Sequence, residues 1–213
     1  MEGKKQQQLF QRAWWLALIS ILYNILEGGI STYFGIDDET LALFGFGMDS
    51  FVEVISGLGI AHLYWRLRKH NIAQRDRFEV TALKVTGTAF YLLTVSLVLG
   101  ASFQLWQQKH PVTTLSGIII AILSILTMYF LYQHKLSVGR KLNSAPIIAD
   151  AKCTLTCFRL SLVLLISSLL YEWLHLPYID AAGSLVIAWF AYKEGKEAFQ
   201  KARTGALSCG CKD

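Results

Sequence analysis

Two pairs of side chains in this chain have the types and the spacing to hold a metal ion. In GMDSFVEVISG, Asp49 and Glu53 stand four apart, and in IIADAKCTLTCFRLS, residues 147–161, Cys153 and Cys157 do the same. Residues four apart on a helix share a face, so each pair would present its two ligands together. Both pairs sit inside runs that are otherwise apolar. An acid at the centre of a membrane helix costs about 2.5–3.5 kcal/mol, so ionisable groups there usually mark a transport path, a proton relay or a ligand site. A lone buried cysteine is more often a small core residue; an Asp and a Glu one turn apart are much harder to explain as packing.

Two carboxylates and two thiolates suit a four-coordinate divalent ion such as Zn²⁺, and the thiolates favour softer ions. Cd²⁺ fits at least as well, and Hg²⁺ stays open. Mg²⁺ and Ca²⁺ want oxygen only and fit poorly. Binding would displace protons from thiols and carboxyls. Protons returning to the same groups could then drive the ion off, which is the chemistry of an antiporter.

The elements that must position these pairs are membrane helices. Of 213 residues, 54% are hydrophobic, 13% aromatic and only 16% charged, against about 25% charged in a soluble domain. Six apolar runs follow, at about 13–34, 40–65, 78–105, 113–133, 144–170 and 178–198, each meeting the roughly 20 residues a spanning helix needs. Lys and Arg crowd the N-terminus, loops 2–3 and 4–5 and the tail, while the other three loops hold only Lys109 between them. The positive-inside rule puts both termini in the cytoplasm, as an even number of spans requires. The expected class is an all-α integral membrane protein of the cell (inner) membrane, with six transmembrane helices. Its parts are a cytoplasmic N-terminus at 1–12, a transport domain at 13–198 and a short cytoplasmic tail at 199–213. The net charge of +5 sits in loops between apolar runs, which argues against nucleic acid as a partner. No cleavable signal peptide and no structural disulfide framework are expected.

Depth tests the pairing. Asp49 and Glu53 lie 9 and 13 residues beyond Thr40, and Cys153 and Cys157 lie 9 and 13 residues beyond Ser144. With spans 2 and 5 antiparallel, Asp49 should be level with Cys157 and Glu53 with Cys153, all near mid-membrane.

Neighbouring groups are less determined. Glu27 in span 1 lies close to the level of Asp49 and is open to three roles: extra ligand, proton carrier or structural hydrogen-bond partner. Asp150, one turn to the cytoplasmic side of Cys153, is either an accessory ligand or the ion-pair partner of Lys152 or Lys84. Arg159 points about 200° round the helix from Cys157, which suggests a structural pair, with Asp180 as candidate. Asp37, Asp38 and Glu39 read as a solvated loop. His62, His70, His110, His134 and His175 fall near span ends and none is assigned to metal. Cys209 and Cys211 in the tail make half a soft-ion site.

These residues resemble the cation diffusion facilitator (cation efflux) family over roughly residues 10–200. The most specific matches are ALFGFGMDSFVEVISG in span 2 and NSAPIIADAKCTLTCFRLS in span 5, with YIDAAGSLVIAWFAYKEG in span 6 similar too. The resemblance implies that an acid pair in span 2 and a pair in span 5 form the transported ion's site, which falls on Asp49, Glu53, Cys153 and Cys157. Glu53 stands where Asp is usual, and cysteines stand where His or Asp is usual, which raises softer ions over zinc alone. The resemblance also implies export, proton coupling and a homodimer. The chain reads as a short member without the usual cytoplasmic C-terminal domain, so dimerisation would rest on the membrane helices.

The expected function is a proton-coupled exporter of soft divalent cations working by alternating access, not an enzyme. Its partners are metal cations, protons and the lipid bilayer, and it needs no cofactor beyond the ion it carries. A membrane thiol oxidoreductase using Cys153 and Cys157 is the rival, although cysteines at i and i+4 of an intact helix are poorly placed for a relaxed disulfide. A non-transporting metal sensor is the third reading.

Overall fold

The structure is a computed structural model that describes residues 2–69, 77–107, 111–176 and 178–205. The described residues form six helices: α1 (Glu2–Asp37), α2 (Leu41–Lys69), α3 (Arg77–Gln107), α4 (Leu115–Lys141), α5 (Ala145–Leu174) and α6 (Tyr178–Thr204). Cys209, Cys211, His70 and His110 lie outside the described residues.

The helices overrun the apolar windows, mostly on the cytoplasmic side. α1 starts at Glu2, α4 ends at Lys141 and α6 ends at Thr204. Hydropathy marks where lipid begins, whereas a helix already nucleated in the bilayer adds polar residues at little cost as each closes one more hydrogen bond. Residues 2–12 and 199–204, expected as flanking segments, therefore continue α1 and α6.

Five helices, α1 to α5, are long and apolar enough to cross a membrane by length and composition. The sixth differs from the expectation of six equivalent spans. α6 is as long as α4, but its buried face is made of small residues, among them Ala181, Gly183, Ser184, Ala188 and Ala191. Such a face lets backbones come close, and the charges Asp180, Lys193, Glu194, Lys196 and Glu197 lower the hydropathy of α6. α6 packs along α3, and a Cβ added at Gly195 would lie 3.0 Å from the Tyr91 ring.

α1 and α2 form a second close pair. A Cβ at Gly47 would lie 2.7 Å from the Thr32 backbone nitrogen, and one at Gly35 would lie 2.5 Å from that of Phe44. The two backbones touch, so polar side chains on their facing sides meet directly. α4 and α5 make the third pair, while α2 also packs against α3, α5 and α6.

The apolar core is divided. One cluster, including Leu43, Phe46, Leu97, Leu160, Leu164 and Ile187, fills the half towards the outside. Another, with Ala17, Ile21, Tyr64, Val138 and Ile147, fills the cytoplasmic half. Large apolar side chains such as Leu92, Leu99, Leu126 and Phe130 are exposed on the bundle's outer faces, where a bilayer provides their solvent. The protein is a multi-pass membrane protein.

Candidate metal site

The polar residues singled out in the sequence lie between the two apolar clusters. Asp49 is 3% exposed and sits eight residues into α2, about 12 Å from its outer end by helix rise. Glu53 follows one turn deeper. Its Oε2 accepts a hydrogen bond from Asn24 Nδ2 of α1 at 2.9 Å. Its Oε1 accepts one from Cys157 Sγ of α5 at 2.6 Å. The α2 acid pair and the α5 thiol pair therefore do meet across the bundle.

They meet one turn out of the expected register. Cys157 contacts Glu53, where the count from loop boundaries levelled it with Asp49. Cys153 lies a further turn towards the cytoplasm, 3.9 Å from Lys201 Nζ of α6. Helix ends fix depth only to within a residue or two, and tilt is set by packing against neighbours, so the register was not countable from the sequence. As a result the four residues do not converge here. Among the described residues, no three of His, Cys, Asp and Glu lie together closely enough to hold a metal ion. Asp49 and Cys153 flank the Glu53–Cys157 contact on either side.

The surroundings carry unused coordinating capacity. Glu27 is buried, and its Oε2 accepts from Ser50 Oγ at 3.0 Å, with Tyr23 and Ser124 against the same carboxyl. Among the described residues, Glu27 Oε1, Asp49 Oδ1 and Asn24 Oδ1 are each buried without a hydrogen-bond partner. Buried oxygens without partners are rare in native proteins and call for an explanation such as an ion. Oxygen and sulfur atoms thus line facing sides of α1, α2 and α5, a donor set chemically suited to a divalent cation.

Below this contact a cavity of about 70 Å³ reaches past Ser56, Cys153 and Asp150 to Lys201. A second, smaller cavity of about 30 Å³ shares Asp150, Cys153 and Lys201 and continues to Leu63, Glu79 and Pro146 at the cytoplasmic end. Together they have room for a few water molecules. The outside end is tied together by Asp180, which accepts from Leu41 N at 2.9 Å, Ala42 N at 3.2 Å and Gln104 Nε2 at 2.9 Å. The two small cavities beneath the contact run towards the cytoplasm, and a groove of about 360 Å³ at the outside end is lined by Gly35, Leu41, Phe44 and Gln104.

Several pairings differ from those expected. Asp150 is bound to Lys135 of α4 and Tyr64 of α2, not to Lys152 or Lys84. Arg159 does not pair with Asp180: it is exposed and lines a groove between α5 and α6 with Lys152, Lys193 and Glu197. Asp38 is not solvated; it is buried and bonded to Ser116 of α4. His62 stacks near Trp65 and Phe78, and His134 near Phe130.

Two residues escaped the sequence reading. Lys135, just past the apolar window of span 4, lies inside the bundle, and Glu194 lines the cavity beside Glu53 and Cys157. Periodicity carried both. Lys135 continues the buried steps Ser124, Met128 and Leu131, and Glu194 falls between buried Ala191 and Ala198.

Acids and thiols at mid-depth, with a cavity leading from them to one membrane face, are the construction of a membrane protein that handles cations. The family model described as the cation efflux transmembrane domain matches residues 17–203. The chain belongs to that family, which is one of transporters and not of enzymes. It is similar to the manganese efflux system protein MneP of Bacillus subtilis (strain 168), with 24% identity over 194 residues that cover 85% of this chain and 64% of that protein.

Proposed function

We propose that the chain exports a divalent metal cation from the cytoplasm, with Asp49, Glu53, Cys153 and Cys157 as its ligands. The observation that carries this reading is the Cys157–Glu53 hydrogen bond, set among buried oxygens without partners on Glu27, Asp49 and Asn24. The thiol proton sits where an ion would bridge sulfur and carboxylate, so loading the ion expels that proton. The cytoplasmic cavity admits the ion to Glu53 and Cys157. Asp49 and Cys153, one turn to either side, then close on it. Protons arriving from outside take the ligands back and release the ion, which makes the cycle an antiport. Glu27 supplies an accessory oxygen beside Asp49.

Sulfur selects Zn²⁺ and Cd²⁺, and beyond them Hg²⁺, over harder ions. A second reading has an observation of its own: the oxygens of Glu27, Asp49 and Asn24 form a harder donor group, and the relative in Bacillus subtilis is a manganese efflux protein. The functional unit in this reading is a homodimer assembled through the membrane helices, which cross-linking in vesicles checks.

Uptake of Zn²⁺, Cd²⁺, Hg²⁺ and Mn²⁺ into proteoliposomes under a pH gradient decides between them, with wild type set against Cys153→Ser/Cys157→Ser. Loss of Cd²⁺ and Zn²⁺ uptake in the variant supports the mixed sulfur and oxygen site. Unchanged Mn²⁺ uptake in wild type and variant alike makes the oxygens the site and the thiols packing. Metal binding without uptake of any ion by wild type overturns export in favour of a sensor.

A further inference from the structure

The cavity beneath the Glu53–Cys157 contact already contains a cation. The buried face of α4 runs through Ala121, Ser124, Met128, Leu131, Lys135 and Val138 in steps of three and four, which carries an ammonium group into the bundle. The Lys135 side chain is 5% exposed. Its Nζ lies 3.2 Å from each Asp150 carboxylate oxygen and donates to Thr154 Oγ1 at 3.0 Å. Tyr64 of α2 donates to Asp150 Oδ2 at 2.8 Å. Lys135, Asp150 and Thr154 line the same cavity as Glu53, Cys153 and Cys157.

A buried ammonium and carboxylate are costly to hold away from water, and such a pair is weak evidence for stability. Its position offers another reason. Without Lys135, the cavity would hold the Asp150 carboxylate and the Thr154 hydroxyl, with the Tyr64 hydroxyl on Asp150 from behind. Those are ligands for a divalent cation, on the route from the cytoplasm to the mid-depth contact. Conduction needs each station weak enough to leave, and a second strong station in series would trap the ion.

We propose that Lys135 is a resident cation occupying a second divalent-cation station at Asp150 and Thr154, so that the chain holds its ion at mid-depth alone. The inference rests on the cation-transport reading and deepens it. The ammonium neutralises Asp150, and its fixed charge repels a divalent ion that would settle beside it. Lys135 is thus a specificity and positioning residue, not a ligand.

The test is equilibrium dialysis of the full-length chain in detergent against Cd²⁺, with wild type beside Lys135→Gln and Lys135→Arg. Wild type and Lys135→Arg should bind about one Cd²⁺ per chain, and Lys135→Gln about two, because the vacated carboxylate recruits a metal in place of the ammonium. Lys135→Gln that elutes as wild type does and still binds about one overturns the proposal. If Lys135→Gln does not fold, Asp150→Asn decides, since Lys135 can still donate to the amide oxygen. With Asp150 held off the ion, Cd²⁺ affinity changes less than about threefold, whereas a loss of about tenfold makes Asp150 a ligand and overturns the proposal. Wild type that binds no Cd²⁺ at all counts against the thiol-bearing site itself, a different failure from unchanged stoichiometry in the variant.

Discussion

The two ends of the bundle hold their carboxylates in opposite ways. At the outside end, acids are fixed by backbone amides. Asp180 of α6 takes the first two amides of α2, and Glu172 of α5 takes the Thr114 amide just before α4 at 2.6 Å. A helix N-terminus leaves four N–H groups without partners and carries a partial positive charge, so each acid caps a helix other than its own and ties two elements together. At the cytoplasmic end, acids are matched instead by long, flexible cations: Lys135 with Asp150, Arg66 with Glu79, and Lys201 with Glu197. The two cavities beneath the Glu53–Cys157 contact lie on that side. Backbone partners cannot move without moving a helix, whereas side-chain partners can shift by changing rotamer and leave the helices in place. One end is thus built as a clamp, the other as an access route.

Substitutions can break this contrast, the largest at the boundary between the two regions. Glu53→Ala should abolish transport while the protein still inserts and elutes normally, since losing a direct ligand exceeds the roughly 10–100-fold cost of losing an outer partner. Vesicle uptake measures it, and retained activity would move the site elsewhere. Next comes Asp180→Ala, which strips partners from two α2 amides and from Gln104. A stability loss of about 3 kcal/mol is expected, seen as a lower Tm in detergent, and labelling of a cysteine introduced at the outside end should increase as the clamp opens. An unchanged Tm would mean that water replaces the carboxylate, and the outside end is then no clamp.

A pH series sharpens the picture of the access side. Protons compete with the metal for the ligands, so Cd²⁺ binding should weaken as pH falls, by about tenfold per pH unit for each proton displaced. A flat profile between pH 6 and about pH 8 would remove proton coupling at these ligands. The smallest effect belongs to Glu197→Gln. Its partner Lys201 stands one helical turn away, and the Glu197 side chain is 37% exposed, so the pair contributes only about 0.3–0.5 kcal/mol. A loss of transport on that substitution would show that Lys201, beside Cys153, needs Glu197 to stay clear of the ion.

What was legible before the fold follows the same division. Asp49, Glu53, Cys153 and Cys157 stood out because polar residues at helical spacing interrupt apolar runs, a signal that survives without any tertiary contact. Lys135 and Asp180 did not stand out for what they do. Lys135 lies just past the apolar window, where a basic residue reads as loop, and only the length of α4 carries it inside. Asp180 was visible as an acid near a helix start, but its partners belong to α2 and α3, which are distant in the chain. Asp38 failed the same way: its loop looks solvated until α4 supplies Ser116.

By itself, the sequence determined six helices, their directions and the four candidate ligands, because hydropathy, charge asymmetry and i, i+4 spacing are local properties. The tertiary structure alone decided that Cys157 meets Glu53 and not Asp49, that Asp150 belongs to Lys135, and that small cavities run from that contact to the end of the bundle that carries Leu63 and Glu79. Those outcomes depend on how far each helix slides and tilts against its neighbours. That is settled by glycine contacts such as Gly47 against Thr32 and by caps donated between helices, neither of which spacing along a single helix can encode.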